Sequence, residues 1–152
     1  MTCQEICAQY TARKRAGGVK QKNNPKILLV DDEQDITTVF TLGLEDNGFE
    51  VDAFNDPLHA LSGFKSGSYD LVLLDYRMPA MNGFELYREI RKMDKKVKVC
   101  LISAHELYPE ELKLHCMNRS SQYKQEADVK GFIQKPIDID KLVKRIKEEL
   151  NS

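Results

Sequence analysis

Three short, almost uninterrupted apolar runs constrain this chain most: ILLV (Ile27 to Val30), LVLL (Leu71 to Leu74) and VKVCLIS (Val97 to Ser103). Runs this short, rich in Val, Leu and Ile, predict strands buried on both faces. Phe49, Val51 and Ala53 alternate with Glu50 and Asp52, which predicts a more exposed edge strand, and Val129 to Gln134 forms a fifth run. Segments of helical spacing separate them, so strand-then-helix units fill the chain from Lys26 onward. This alternation implies a parallel sheet with helices on both faces, because each right-handed crossover lays a helix against the sheet.

The helices carry their own punctuation. Ile36, Val39, Phe40, Gly43 and Leu44 recur at helical spacing, and Asn47 with Gly48 supplies a left-handed stop. Asp56 is expected as an N-cap with Pro57 in the first turn, followed by a stripe of Leu58, Leu61 and Phe64. A turn through Pro79, Asn82 and Gly83 leads to a helix with Leu86, Ile90 and Met93 inward. Pro109 opens a helix to about Met117, and Asp138 caps a last one with Ile139, Leu142, Val143, Ile146 and Leu150 on one face.

Composition narrows the function classes. Lys+Arg 23 against Asp+Glu 24 leaves a net charge of -1, so no overall basic field argues for nucleic acid or an anionic membrane. No apolar run approaches a membrane span, so membrane insertion is not expected, and the N-terminus lacks an apolar stretch followed by a cleavage site. Cys3, Cys7, Cys100 and Cys116 are too scattered for a disulfide framework or a tetrahedral zinc site. A reduced, cytoplasmic protein is the expectation. Residues 1–25 hold one acid, Glu5, among several basic residues and are expected to form a flexible basic tail ahead of one domain over 26–152.

In a parallel sheet of this kind ligands bind beyond the carboxyl ends of the strands. The residues there are Asp31 and Asp32, Asp75, Ser103 and Lys135. Singly, each has an ordinary explanation in turn, cap or solvation chemistry. Gathered at one rim, three carboxylates repel one another, which makes a hard divalent cation their natural partner. A lysine and a serine hydroxyl beside them suit a bound anion. That set describes a Mg²⁺-assisted site for a phosphoryl group.

Here the sequence closely resembles the receiver domain of two-component response regulators, through LLVDDE, LVLLDYRMPAMNGFEL, VCLISA and GFIQKP. The resemblance implies a flavodoxin-like, doubly wound sheet in the order 2-1-3-4-5 with five helices around it. It implies Asp75 as the phosphoacceptor, with Asp32, Asp75 and the backbone carbonyl of Arg77 ligating Mg²⁺ and Asp31 holding a metal-bound water. Ser103 and Lys135 would contact the phosphoryl oxygens, Phe132 would be the aromatic switch residue, and Pro136 would follow a cis Lys-Pro bond. The donor would be a sensor histidine kinase or a histidine phosphotransfer protein. The output would be contacts with a downstream protein at the 104–150 face.

Two features depart from the family pattern. The stretch between Ser103 and Lys135 is longer by roughly ten residues, where connections in compact domains are usually short. Arg77 stands two residues after the acceptor, where a polar residue such as Asn is common; with His105 it would flank the path of a hydrolytic water. Only Asn151 and Ser152 follow Leu150, so a stand-alone receiver is expected. The rivals are a pseudo-receiver that never takes phosphate and a haloacid-dehalogenase-like phosphatase with an Asp nucleophile. The first conflicts with the complete residue set, and the second needs an acid where Arg77 stands.

Overall fold

Where the apolar runs are continuous, the strands lie at the centre of the sheet. The computed structural model describes residues 24–104 and 129–152, of which 129–132 are described as backbone. Its elements are β1 (Lys26–Val30), α1 (Gln34–Asp46), β2 (Glu50–Phe54), α2 (Pro57–Gly63) and β3 (Leu71–Asp75). They continue with α3 (Gly83–Met93), β4 (Lys98–Ser103), β5 (Val129–Gln134) and α4 (Ile139–Leu150). The five strands form one parallel sheet in the order β2-β1-β3-β4-β5, as the resemblance implies. Four helices fall within the described residues. The helix expected from Pro109, the proposed tail up to residue 23 and His105 lie outside them.

The strands separate two cores. Ile27 and Leu29 of β1 face one side with Phe40, Leu44, Leu142 and Ile146, between the sheet and the pair α1 and α4. Leu28 and Val30 face the other with Ala60, Phe84, Leu86 and Ile90, beneath α2 and α3. Both faces are therefore dry, which is why these runs show no polar alternation. Leu71 pairs with both Ile27 and Lys98, so β3 is held on each side. The register of β4 on β5 slips by one residue between Val99 and Cys100, where Gly131 rather than Lys130 pairs with Cys100.

Caps set the helix boundaries largely as expected. Asp56 accepts from the N–H groups of Leu58 (2.7 Å) and His59 (3.1 Å), and Asp138 accepts from Lys141 N at 2.8 Å. Asn82 is a cap rather than a turn interior: it exchanges side-chain bonds with Glu85 in a reciprocal capping box. Gly48 ends α1 with φ +90°, a conformation that penalises any residue with a Cβ.

Three expected core positions are exposed instead: Val39, Leu58 and Met93. In α1 the buried residues are Thr37, Phe40 and Leu44, and Val39 sits about 100° round the helix from Phe40, away from Thr37. In α2 the inward stripe is Pro57, Ala60, Leu61 and Phe64, an i, i+3, i+4, i+7 set that leaves Leu58 on the outer side. In α3 it is Phe84, Leu86, Tyr87, Ile90 and Arg91, which turns Met93 to solvent.

Candidate functional site

The sheet order reverses direction at β1, whose neighbours are β2 and β3. A crevice opens beyond the carboxyl ends of strands at such a point, since their crossovers leave to opposite faces. Asp31 and Asp32 follow β1 there, and Asp75 is the last residue of β3. One carboxylate oxygen from each of the three lies within 4.8 Å of the others. Asp31 and Asp75 are buried, while Asp32 is exposed.

Lys135, immediately after β5, answers this charge. Its ammonium pairs with Asp31 Oδ2 and lies 3.4 Å from Asp75 Oδ1, with the lysine side chain 11% exposed. The Lys135 N–H donates to Ser103 O at 2.8 Å, extending the β4–β5 pairing beyond the sheet, and the Lys135–Pro136 bond is cis. Burial alone would lower the lysine pKa, but the hydrogen bond it donates to Asp31 and the charges of Asp75 and Asp31 hold it above its usual value.

One cation does not balance three acids. Burial, reinforced by the Asp31 charge and less by Asp32, pushes the Asp75 carboxyl up to about 7 against the opposing pull of Lys135. A group of hard oxygen donors that resists full ionisation by itself fits a divalent cation such as Mg²⁺, whose charge would relieve the repulsion. The residues present therefore fit that ion.

The remaining expected residues stand as follows. Ser103 ends β4, buried, one residue beyond the Asp75–Ile102 pair and so at the same rim. Arg77 is exposed and makes no ion pair with another described residue. The backbone of Phe132 pairs with Leu101, while its side chain lies outside what is described.

Two contributors escape a reading of the sequence. Gly83, at the start of α3, donates its N–H to Tyr76 O at 2.8 Å and comes so near β3 that a Cβ would stand 2.3 Å from the Asp75 carbonyl oxygen. The Asn-Gly pair reads as a turn in the sequence; its role as a spacer beneath Asp75 exists only in three dimensions. Asn55, just after β2, bonds the Asp31 carbonyl oxygen, and a lone Asn after an edge strand carries no sequence signal of that.

The family model of the response regulator receiver domain matches residues 27–147. The uncharacterized transcriptional regulatory protein YkoG of Bacillus subtilis is 31% identical, across 82% of this chain and 50% of its own length. The response regulator ArlR of Staphylococcus saprophyticus is 34% identical, across 82% of this chain and 52% of its own. The chain thus spans about half the length of these two relatives. Against solved structures, the CheY-like receiver domain protein of Methanospirillum hungatei superposes with TM-score 0.70 at 26% identity, covering 85% of this chain and 95% of that one. The response regulator TrrA of Thermotoga maritima, in complex with Mg²⁺ and BeF, gives TM-score 0.66 at 31% identity, covering 82% and 97%. Among the described residues no helix is long and apolar enough to cross a membrane. Since the family match runs from β1 into α4, and solved receivers superpose over nearly their full length, this chain belongs to the response regulator receiver domains.

Proposed function

We propose that this receiver takes a phosphoryl group onto Asp75 from a phosphohistidine of a sensor kinase or histidine phosphotransfer protein. The observation that carries the reading is the convergence of Asp31, Asp32 and Asp75 at the sheet's switch point, with Lys135 reaching both Asp31 and Asp75. An Asp75 carboxylate oxygen attacks phosphorus, the phosphorus–nitrogen bond breaks, and the imidazole leaves with a proton. Asp32, Asp75 and the Arg77 carbonyl, with Asp31 beside them, would hold Mg²⁺, which would supply positive charge against the transferred oxygens. Lys135, already within reach of Asp75, turns its ammonium to the new phosphoryl oxygens, and Ser103 donates a hydrogen bond to them. Receivers need little beyond this positioning and charge, so phosphotransfer and dephosphorylation are self-catalysed rather than turnover of a separate substrate.

Ser103 and Phe132 on adjacent strands would carry the new charge to the 104–150 face, where a downstream protein docks. Supporting that placement, an open groove beside β5 and α4 combines Ile133 and Ile137 with the charged residues Lys141, Lys144, Arg145 and Glu148. The test is intact-mass analysis with Mg²⁺ and a small-molecule phosphodonor. One phosphate is expected on the wild type and none on Asp75→Asn; equal labelling of the variant would overturn the acceptor assignment.

A further inference from the structure

The turn that carries two of the three acids is tied down from a neighbouring strand by one side chain. Asn55 Nδ2 donates to the Asp31 carbonyl oxygen at 2.9 Å and to Thr37 Oγ1 at 2.9 Å. An amide nitrogen has two hydrogens, so both bonds form at once. Thr37 is buried in the first turns of α1, and its hydroxyl donates in turn to Gln34 O at 3.0 Å. Three further bonds fix Asp31 itself: its N–H to Phe54 O at 3.1 Å, its Oδ1 from Glu33 N at 2.9 Å, and its Oδ2 from the Lys135 ammonium.

Asp32 has no such support. Its carboxylate is exposed and makes no hydrogen bond or ion pair with another described residue, yet it supplies one corner of the acidic cluster. What orients it is the peptide that joins it to Asp31. That unit is planar, so the direction of the Asp31 carbonyl sets the plane from which Asp32 departs. Asn55 grips that carbonyl and anchors it to buried Thr37.

We propose that Asn55 is a positioning residue for divalent-cation binding, acting through the Asp31–Asp32 peptide to set where the Asp32 carboxylate stands relative to Asp75. The proposal rests on the reading of the acidic cluster as a Mg²⁺ site. A purely structural staple between β2 and α1 would make the same hydrogen bonds, but it would not depend on Asp32.

Calorimetric titration of the full chain with MgCl₂ separates the two. Asn55→Ala is expected to weaken Mg²⁺ binding by about tenfold, the low end for residues that orient ligands from behind. On an Asp32→Asn background the same change is expected to cost nothing further, because its route is already cut. Thr37→Val removes one anchor of the amide and should fall between wild type and Asn55→Ala. Without metal, the Asp31 amide, bonded to Phe54 O, should exchange faster in Asn55→Ala, and the melting temperature should fall only by the few degrees that two lost hydrogen bonds cost. Should Asn55→Ala fail to fold, Asn55→Ser, too short to span both acceptors, carries the same expectations. Unchanged Mg²⁺ affinity in Asn55→Ala, or an equal loss on the Asp32→Asn background, overturns the proposal alone. A wild type that does not bind Mg²⁺ overturns the metal reading and this proposal with it.

Discussion

Gly83→Ala is the most demanding test of how the site is built. The new Cβ would lie 2.3 Å from the Asp75 carbonyl oxygen, 3.0 Å from its carbonyl carbon and 3.1 Å from Tyr76 Cα. All three are backbone atoms, so no side chain can swing aside. Relief to an ordinary contact of about 3.5 Å requires a shift of about 1 Å, either of the α3 N-terminus or of the Asp75 peptide. Either movement also strains the Gly83 N–H bond to Tyr76 O. Overpacking costs about 1–3 kcal/mol and a weakened buried hydrogen bond about 1 kcal/mol more. The opposing gain, helix propensity of alanine over glycine, is at most about 1 kcal/mol. The clash wins, by about 2 kcal/mol. For a domain of this size that lowers the melting temperature by about 6–10 °C, measurable by far-UV circular dichroism. Displacing Asp75 against Asp31 and Asp32 should also slow labelling by a phosphodonor, since errors of about 1 Å cost up to about a hundredfold in rate. A variant that melts at or above the wild-type temperature and labels at the wild-type rate would refute the close approach of α3 to the acceptor.

Three further expectations concern the charged groups. Lys135→Met leaves Asp31 and Asp75 without their pairing ammonium; it should cost about 3 kcal/mol without metal, and Mg²⁺ should raise its melting temperature more than the wild type's, whereas equal shifts would count against the lysine as the cluster's counter-charge. Burial alone would push the Asp94 carboxyl up, but N–H bonds from Gly67, Lys96 and Val97, with the Ser66 hydroxyl, hold it below its usual value. A depressed folded-state pKa contributes stability that is present above the unfolded value of about 3.9 and lost as pH falls through the folded one. Asp94→Asn should therefore destabilise at pH 7 and converge with the wild type in acid denaturant titrations, and a pH-independent difference would contradict the sign. Arg77→Asn should hasten decay of the phosphorylated form at fixed Mg²⁺, because exposed Arg77, free of ion pairs with other described residues, can shield Asp75 from water; unchanged or slower decay removes that role.

The sheet was legible because burial on both faces erases polar alternation, and ILLV and LVLL show that directly. Caps were legible where a single polar residue meets a helix start, as at Asp56 and Asp138, since that chemistry is local. The site was legible in outline: a parallel sheet delivers its strand ends to one rim, so Asp31, Asp32, Asp75 and Lys135 could be grouped before any distance was known.

What stayed hidden depends on which neighbour a residue meets. Val39, Leu58 and Met93 are apolar and near helical spacing, but each helix presents only the arc that its sheet face and flanking helix can cover. Gly83 is a turn residue until α3 settles on β3, and Asn55 is an ordinary loop amide until β2 pairs with β1 and brings it to Asp31. The raised pKa of Asp75 likewise arises from burial and from Asp31, distant in sequence. Local patterns carry information about a residue and its near neighbours along the chain. Contacts across strands are created by chain crossovers, and no short window of sequence contains both partners.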